Sequence, residues 1–155
     1  MRKYDVIAWP LKCLEQIGGS EAVVDALLEL IEGMDVDYER DPDKKVQTLL
    51  QLEERPDARI LDAVKRFLDD VNEPARFHAA CTLLSQEKAG TASGKDVQMA
   101  LLEQLVREES GRVKACILDG FHERSWTVPE DQLEAVRANL PTGYLVDRQR
   151  KIKRK

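Results

Sequence analysis

Aromatic residues are scarce in this chain of 155 residues: two Trp, three Tyr and three Phe, 5% in all. The two histidines, His78 and His122, have no cysteine, serine or second histidine at ligand or relay spacing, so neither is read as a catalytic base or metal ligand. Three cysteines, Cys13, Cys81 and Cys116, make an odd, widely spaced set without any Cys-x-x-Cys. That pattern excludes a disulfide framework and a zinc knuckle, and it suits a reducing compartment. No apolar run approaches the ~18 residues of a membrane span, and Met1-Arg2-Lys3 leads into Tyr4-Asp5-Val6 instead of a long apolar signal segment. A soluble, unexported, cytoplasmic protein with no membrane association is therefore expected. Alternating β-branched runs are also few, which disfavours a β-rich fold.

Against these absences stand 43% hydrophobic and 34% charged residues. A chain of this length buries about two-thirds of its unfolded surface and needs neither disulfide nor metal to be stable. The net charge of -5 hides an asymmetry. Six basic residues, Arg148, Arg150, Lys151, Lys153, Arg154 and Lys155, crowd the segment 148–155, which has no acid. Taking these six from the 24 basic residues leaves 18 against 29 acidic ones, a body of about -11 that disfavours wrapping on DNA.

Apolar residues recur every three to four positions nearly throughout, the signature of amphipathic helices. Capping side chains, glycine stops or first-turn prolines fall at Gly18-Gly19-Ser20, Asp41-Pro42, Pro56-Asp57, Asn72-Glu73-Pro74, Gly90 to Gly94, Ser110-Gly111 and Val128-Pro129-Glu130. Eight helices in four hairpins are expected, with Pro10 leaving the start of the first undefined. The second helix of each pair carries an apolar stripe: Val23, Val24, Leu27, Leu28 and Ile31; Ile60, Leu61, Val64, Phe67, Leu68 and Val71; Leu101, Leu102, Leu105 and Val106; and, more thinly, Leu133, Val136 and Leu140.

The first helices share a register. Lys45-Val46-Gln47-Thr48-Leu49-Leu50, Arg76-Phe77-His78-Ala79-Ala80-Cys81 and Arg112-Val113-Lys114-Ala115-Cys116-Ile117 align without gaps as basic, large apolar, polar, small, then two apolar or small positions. Lys3-Tyr4-Asp5-Val6-Ile7-Ala8 is a weaker fourth copy. In the segments beginning Glu73-Pro74-Ala75-Arg76 and Ser110-Gly111-Arg112-Val113, the chain resembles the HEAT repeats, specifically the short bacterial HEAT-like units also seen in phycobilisome lyases. The resemblance covers roughly residues 40–140. It implies an all-α fold, an α-solenoid of about four HEAT-like hairpins over residues 1–140, followed by a basic tail over 141–155. That tail pairs as a short β-hairpin around Arg148-Gln149 or stays disordered.

Short motifs point the same way. Gly90-Thr91-Ala92-Ser93-Gly94-Lys95-Asp96 is one residue short of a phosphate-binding loop and lacks its hydroxyl, so it reads as a flexible connector. Asp35, Asp37, Glu39, Asp41 and Asp43 alternate as calcium ligands do, but Arg40 and Val46 break the EF-hand pattern, which leaves a polar loop ending in an Asp41 cap. Cys81 and Cys116 fall where the repeat wants small buried residues. Trp9 and Trp126 are assigned to core or cap packing.

No catalytic constellation, metal site or cofactor site emerges, and lyase or glycosylase activity enters only through the family resemblance. The resemblance also implies that second helices line the concave face. The protein-binding residues expected there are Arg59, Asp62, Arg66, Asp69, Gln104 and Arg107, a mixed-sign surface for an unknown protein partner. The alternative is nucleic-acid association through the basic tail. A monomer or weak dimer is expected.

Overall fold

The structure is a computed structural model, and it describes residues 5–155. It is mostly helical, with one two-stranded antiparallel sheet. The fourth copy of the repeat begins outside the described residues. Among these residues no helix is long and apolar enough to cross a membrane.

The chain divides into two compact units, Met1–Ser93 and Gly94–Lys155. In unit 1, helix α1 runs over Asp5–Glu32 with Pro10 inside it and a kink at Gly19, whose φ of 76° lies where glycine is favoured. The predicted Gly18-Gly19 break is therefore a bend, and residues 5–18 and 20–32 form its two arms. Next come α2 (Asp43–Glu53), α3 (Ile60–Val64), a 3-10 turn at Lys65–Asp69, and α4 (Glu73–Lys88). The predicted second helix at 60–71 is shortened. Its 3-10 winding nearly eclipses residues three apart, and Val64 and Phe67 are both fully buried. The helix has ended before Val71, so that side chain is 58% exposed instead of joining the stripe.

Most of the rest of the unit 1 stripe is buried: Val23, Val24, Leu27, Leu28 and Ile31 from α1, and Ile60 and Leu68 from the α3 region, with Leu61 half-buried. Leu49 and Leu52 of α2 and Ala79 and Leu83 of α4 complete the core. Helix α2 packs on both α1 and α4.

Unit 2 holds α5 (Gly94–Arg107), α6 (Gly111–Arg124), a 3-10 turn at Glu130–Gln132 and α7 (Leu133–Ala138). It ends in strands β1 (Tyr144–Val146) and β2 (Ile152–Arg154). Leu101, Leu102 and Leu105 are buried, whereas Val106 lies at the edge of the stripe and is exposed. The Ser110 hydroxyl accepts the Val113 amide and caps α6, and Ser125 closes that helix in the left-handed conformation, φ 53°. The three aligned repeat segments lie in α2, α4 and α6.

The basic C-terminal segment takes the hairpin form of the two expected. Tyr144 pairs with Arg154, Leu145 with Lys153 and Val146 with Ile152. Ile152 is buried, and β2 packs on α6. Segment 141–155 thus belongs to the same compact unit as α5–α7.

Candidate functional site

Unit 1 organises its loops around buried polar groups. Lys45, fully buried, donates from Nζ to Asp70 Oδ2 at 2.7 Å and lies 3.4 Å from Glu39 Oε1. Asp70 Oδ1 accepts both the backbone amide and the side-chain amide of Asn72, at 2.8 and 2.9 Å. Asn72 in turn donates to the Asp37 carbonyl and accepts the Glu39 amide. The acidic loop 35–43 is thereby fastened to the start of α4, and a backbone bond from Val71 to Val36 adds to it. Of the alternating carboxylates Glu39 reaches Lys45, while Asp35 and Asp41 accept backbone amides two residues on. At the end of the loop Asp41 Oδ1 accepts the Asp43 amide in the first turn of α2.

Gln86 does the same for the α2–α3 connection. Its Nε2 donates to the Leu52 and Arg55 carbonyls, and its Oε1 accepts the Asp57 amide and the Thr91 hydroxyl. Sequence periodicity does not pair Lys45 with Asp70, or Gln86 with the Leu52 and Arg55 carbonyls, because these partners lie 25 to 34 positions apart.

The predicted binding residues have different fates. Arg59 and Asp62 are exposed and line an open groove of about 490 Å³ beside Asp25, Leu28, Glu29 and Glu32 of α1. A second cleft of about 520 Å³ includes Glu15, Glu21, Glu54 and Asp57 among its lining residues. Arg59 stands between the two, with its guanidinium 2.8 Å from Asp25 and 3.0 Å from Asp57. The Asp57 carboxyl is held below its usual range chiefly by the hydrogen bond from Arg59, and the guanidinium pKa is raised in return by Asp57 and Asp25. The surface is therefore predominantly acidic, where the sequence suggests mixed sign.

Arg66 turns inward. Its Nη2 donates to the carbonyls of Ile31 and Met34 at the end of α1, and its guanidinium lies 4.2 Å from the centre of the Phe67 ring. Asp69 is exposed on the 3-10 turn. Gln104 and Arg107 lie in unit 2. Gln104 is buried, donates to Glu108 Oε1 and accepts from Arg107 Nε, while Arg107 is exposed at the end of α5.

In the hairpin, Arg154 pairs with Asp119 of α6, which also accepts the Tyr144 hydroxyl at 2.6 Å. The Tyr144 pKa is raised, first by burial and then by this bond. The His122 Nδ1 donates to the Ile152 carbonyl at 3.2 Å, fixing β2 against α6. Arg148 and Lys155 are exposed, and Arg150, Lys151 and Lys153 are half-buried.

The remaining motifs are placed as follows. Cys13, Cys81 and Cys116 form no disulfide with one another and are half-buried, and Cys81 and Cys116 are less enclosed than their repeat positions require. Trp126 packs edge-on to Phe121 at 5.1 Å beneath the Arg124 guanidinium, as cap packing demands. Trp9 is 64% exposed and belongs to no core, because its helical position falls off the face marked by the buried Ile7 and Leu11. Among the described residues no three His, Cys, Asp or Glu side chains converge as a metal site. Comparison of the chain with models of protein families, with curated proteins and with solved structures gives no match.

Proposed function

We propose that this chain is a non-catalytic cytoplasmic adaptor of HEAT-like helical pairs, which binds a protein partner along the acidic groove of unit 1. The carrying observation is that Arg59 and Asp62, two residues singled out for binding, line one groove with Asp25, Glu29 and Glu32. Four carboxylates against one guanidinium, itself engaged by Asp25 and Asp57, favour a partner segment bearing lysine or arginine. The buried Leu28 offers little apolar anchorage, so charge and hydrogen bonding dominate recognition. The recurrence of the repeat segment in α2, α4 and α6 supports the HEAT-like reading, and three cysteines without a disulfide suit the cytoplasm.

The test is affinity capture from nuclease-treated native lysate with wild-type protein and a Glu29→Lys, Asp62→Lys variant. Both substitutions are at exposed positions, so helicity by circular dichroism should be unchanged. A protein retained by the wild type and lost by the variant supports the groove. Equal retention by both overturns it.

A further inference from the structure

We propose that the β1–β2 hairpin is a binding site for single-stranded nucleic acid, engaged through the phosphate backbone. In β2 the side chain of Ile152 is buried, and the alternation of a strand sets Lys151 and Lys153 on the opposite face, where Leu145 lies across from Lys153. Same-face residues in an extended strand recur every ~6.6 Å, a repeat commensurate with successive phosphates along an extended single strand. Arg148 is exposed at the turn between the strands.

Most of this charge is uncompensated. Arg154 is neutralised by Asp119, but among the described residues no ion pair engages Arg148, Arg150, Lys151, Lys153 or Lys155. The one carboxylate in the turn, Asp147, spends its Oδ1 on the backbone amides of Gln149 and Lys151, at 2.9 Å each.

The turn itself presents one of these cations. Its Arg150 amide bonds back to the Asp147 carbonyl, and Arg150 has a φ of 62°, the left-handed conformation that hairpin loops of this kind normally give to glycine. Here the position carries a long cationic side chain instead. The Val128 amide, bonded to the Arg150 carbonyl at 2.7 Å, helps hold it there. A membrane is the poorer occupant, since Leu145 is the only apolar residue on the outer face and Ile152 is buried. Recognition through phosphates alone would be tolerant of sequence.

The experiment is fluorescence anisotropy of the full chain with labelled oligo-dT and oligo-U of about 20 nucleotides across a salt series. If all five cations act, the slope of log K against log salt is about -3.5, at roughly -0.7 per phosphate neutralised. Affinity then falls about fifty-fold between 50 and 150 mM salt. The Lys151→Gln, Lys153→Gln variant should bring the slope to about -2. Arg150→Gly should bring it to about -2.8 while raising the thermal transition, which separates lost binding from lost folding.

Slopes unchanged in both variants would overturn the proposal. So would polyglutamate of equal length competing as well as the oligonucleotide, or phosphatidylserine vesicles binding as tightly.

Discussion

The two units are both built mainly from helices, yet they differ in charge and in how they hold their connections. Unit 1 carries 12 basic and 19 acidic residues, a net of -7; unit 2 carries 12 and 10, a net of +2. Unit 1 ties its loops with buried side chains, Lys45–Asp70–Asn72 for loop 35–43 and Gln86 for the α2–α3 connection. Unit 2 ties the end of its chain with backbone pairing: β1 to β2, Thr127 to Lys151, and Val128 to Arg150, anchored by one buried apolar side chain, Ile152. Carboxylates in loops can be put to structural use where a cation is buried beside them. A basic segment matched by a single acid, Asp119, is ordered chiefly by its backbone, which leaves Arg148 and Lys155 exposed and Arg150, Lys151 and Lys153 half-buried. The acidic unit presents a groove, and the basic unit presents a ribbon.

The sharpest way to break this comparison is Lys45→Ala. Asp70 would then be a buried carboxylate without its cation, although the two amide bonds from Asn72 remain. Removing one partner of such a pair destabilises by about 3–5 kcal/mol. Urea denaturation should show this loss, and hydrogen exchange should show lost protection at the Val71 amide, whose bond to Val36 closes the loop. A loss under about 1 kcal/mol would mean that loop 35–43 is held by its other contacts and that the polar core is not what distinguishes unit 1.

How much of this was legible in the sequence follows from range. The stripes through Val23, Leu27 and Ile31, and through Leu101, Leu102 and Leu105, are local patterns of three- and four-residue spacing, and they mark buried faces correctly. They overreach at Val71 and Val106, where a helix stops or its edge turns outward, since periodicity cannot sense the winding of its last turn. Lys45 was legible only as the basic opening of a repeat. Its burial depends on Asp70, 25 residues on, and no local pattern encodes that pairing.

The site divides in the same way. Arg59 and Asp62 are recognisable as a polar helix back, but the acidity of their groove comes from Asp25, Glu29 and Glu32 on another helix. Arg66 looks equally polar in sequence and is spent on the carbonyls that end α1. The hairpin was legible only as one of two forms open to the tail, centred on Arg148-Gln149, while its turn depends on Arg150 adopting a positive φ.

A smaller effect sharpens the other half of the comparison. Ile152→Ala removes the one buried side chain of β2 and should destabilise by about 2–4 kcal/mol. Backbone pairing alone does not hold a two-stranded ribbon in water. Amide protection at Lys151, which bonds to Asp147, and at Lys155, which bonds to Gly143, should therefore fall together. Protection that survives would mean that Arg154–Asp119 and His122 suffice, making unit 2 as dependent on side-chain polar bonds as unit 1.

The smallest expected effect concerns the acid surplus of unit 1. Glu53, near the end of α2, has its pKa raised first by burial and then by the neighbouring charge of Glu54. A carboxyl whose folded pKa lies above its unfolded value binds its proton more tightly in the folded state. Its protonated form is favoured there, and that advantage disappears as pH rises through the folded value. At pH 7 the folded chain thus carries an ionised group that it holds less well than the unfolded chain does. Glu53→Gln removes that charge, so the variant should melt slightly higher than wild type near pH 7. The gap should close as pH falls below the ordinary glutamate value of 4.5, where both states of the wild type are protonated. Paired melting curves at the two ends of this window test the sign. A gap that stays constant with pH would trace the effect to packing or hydrogen bonding instead of charge, and the surplus of acid in unit 1 would then carry no penalty at this position.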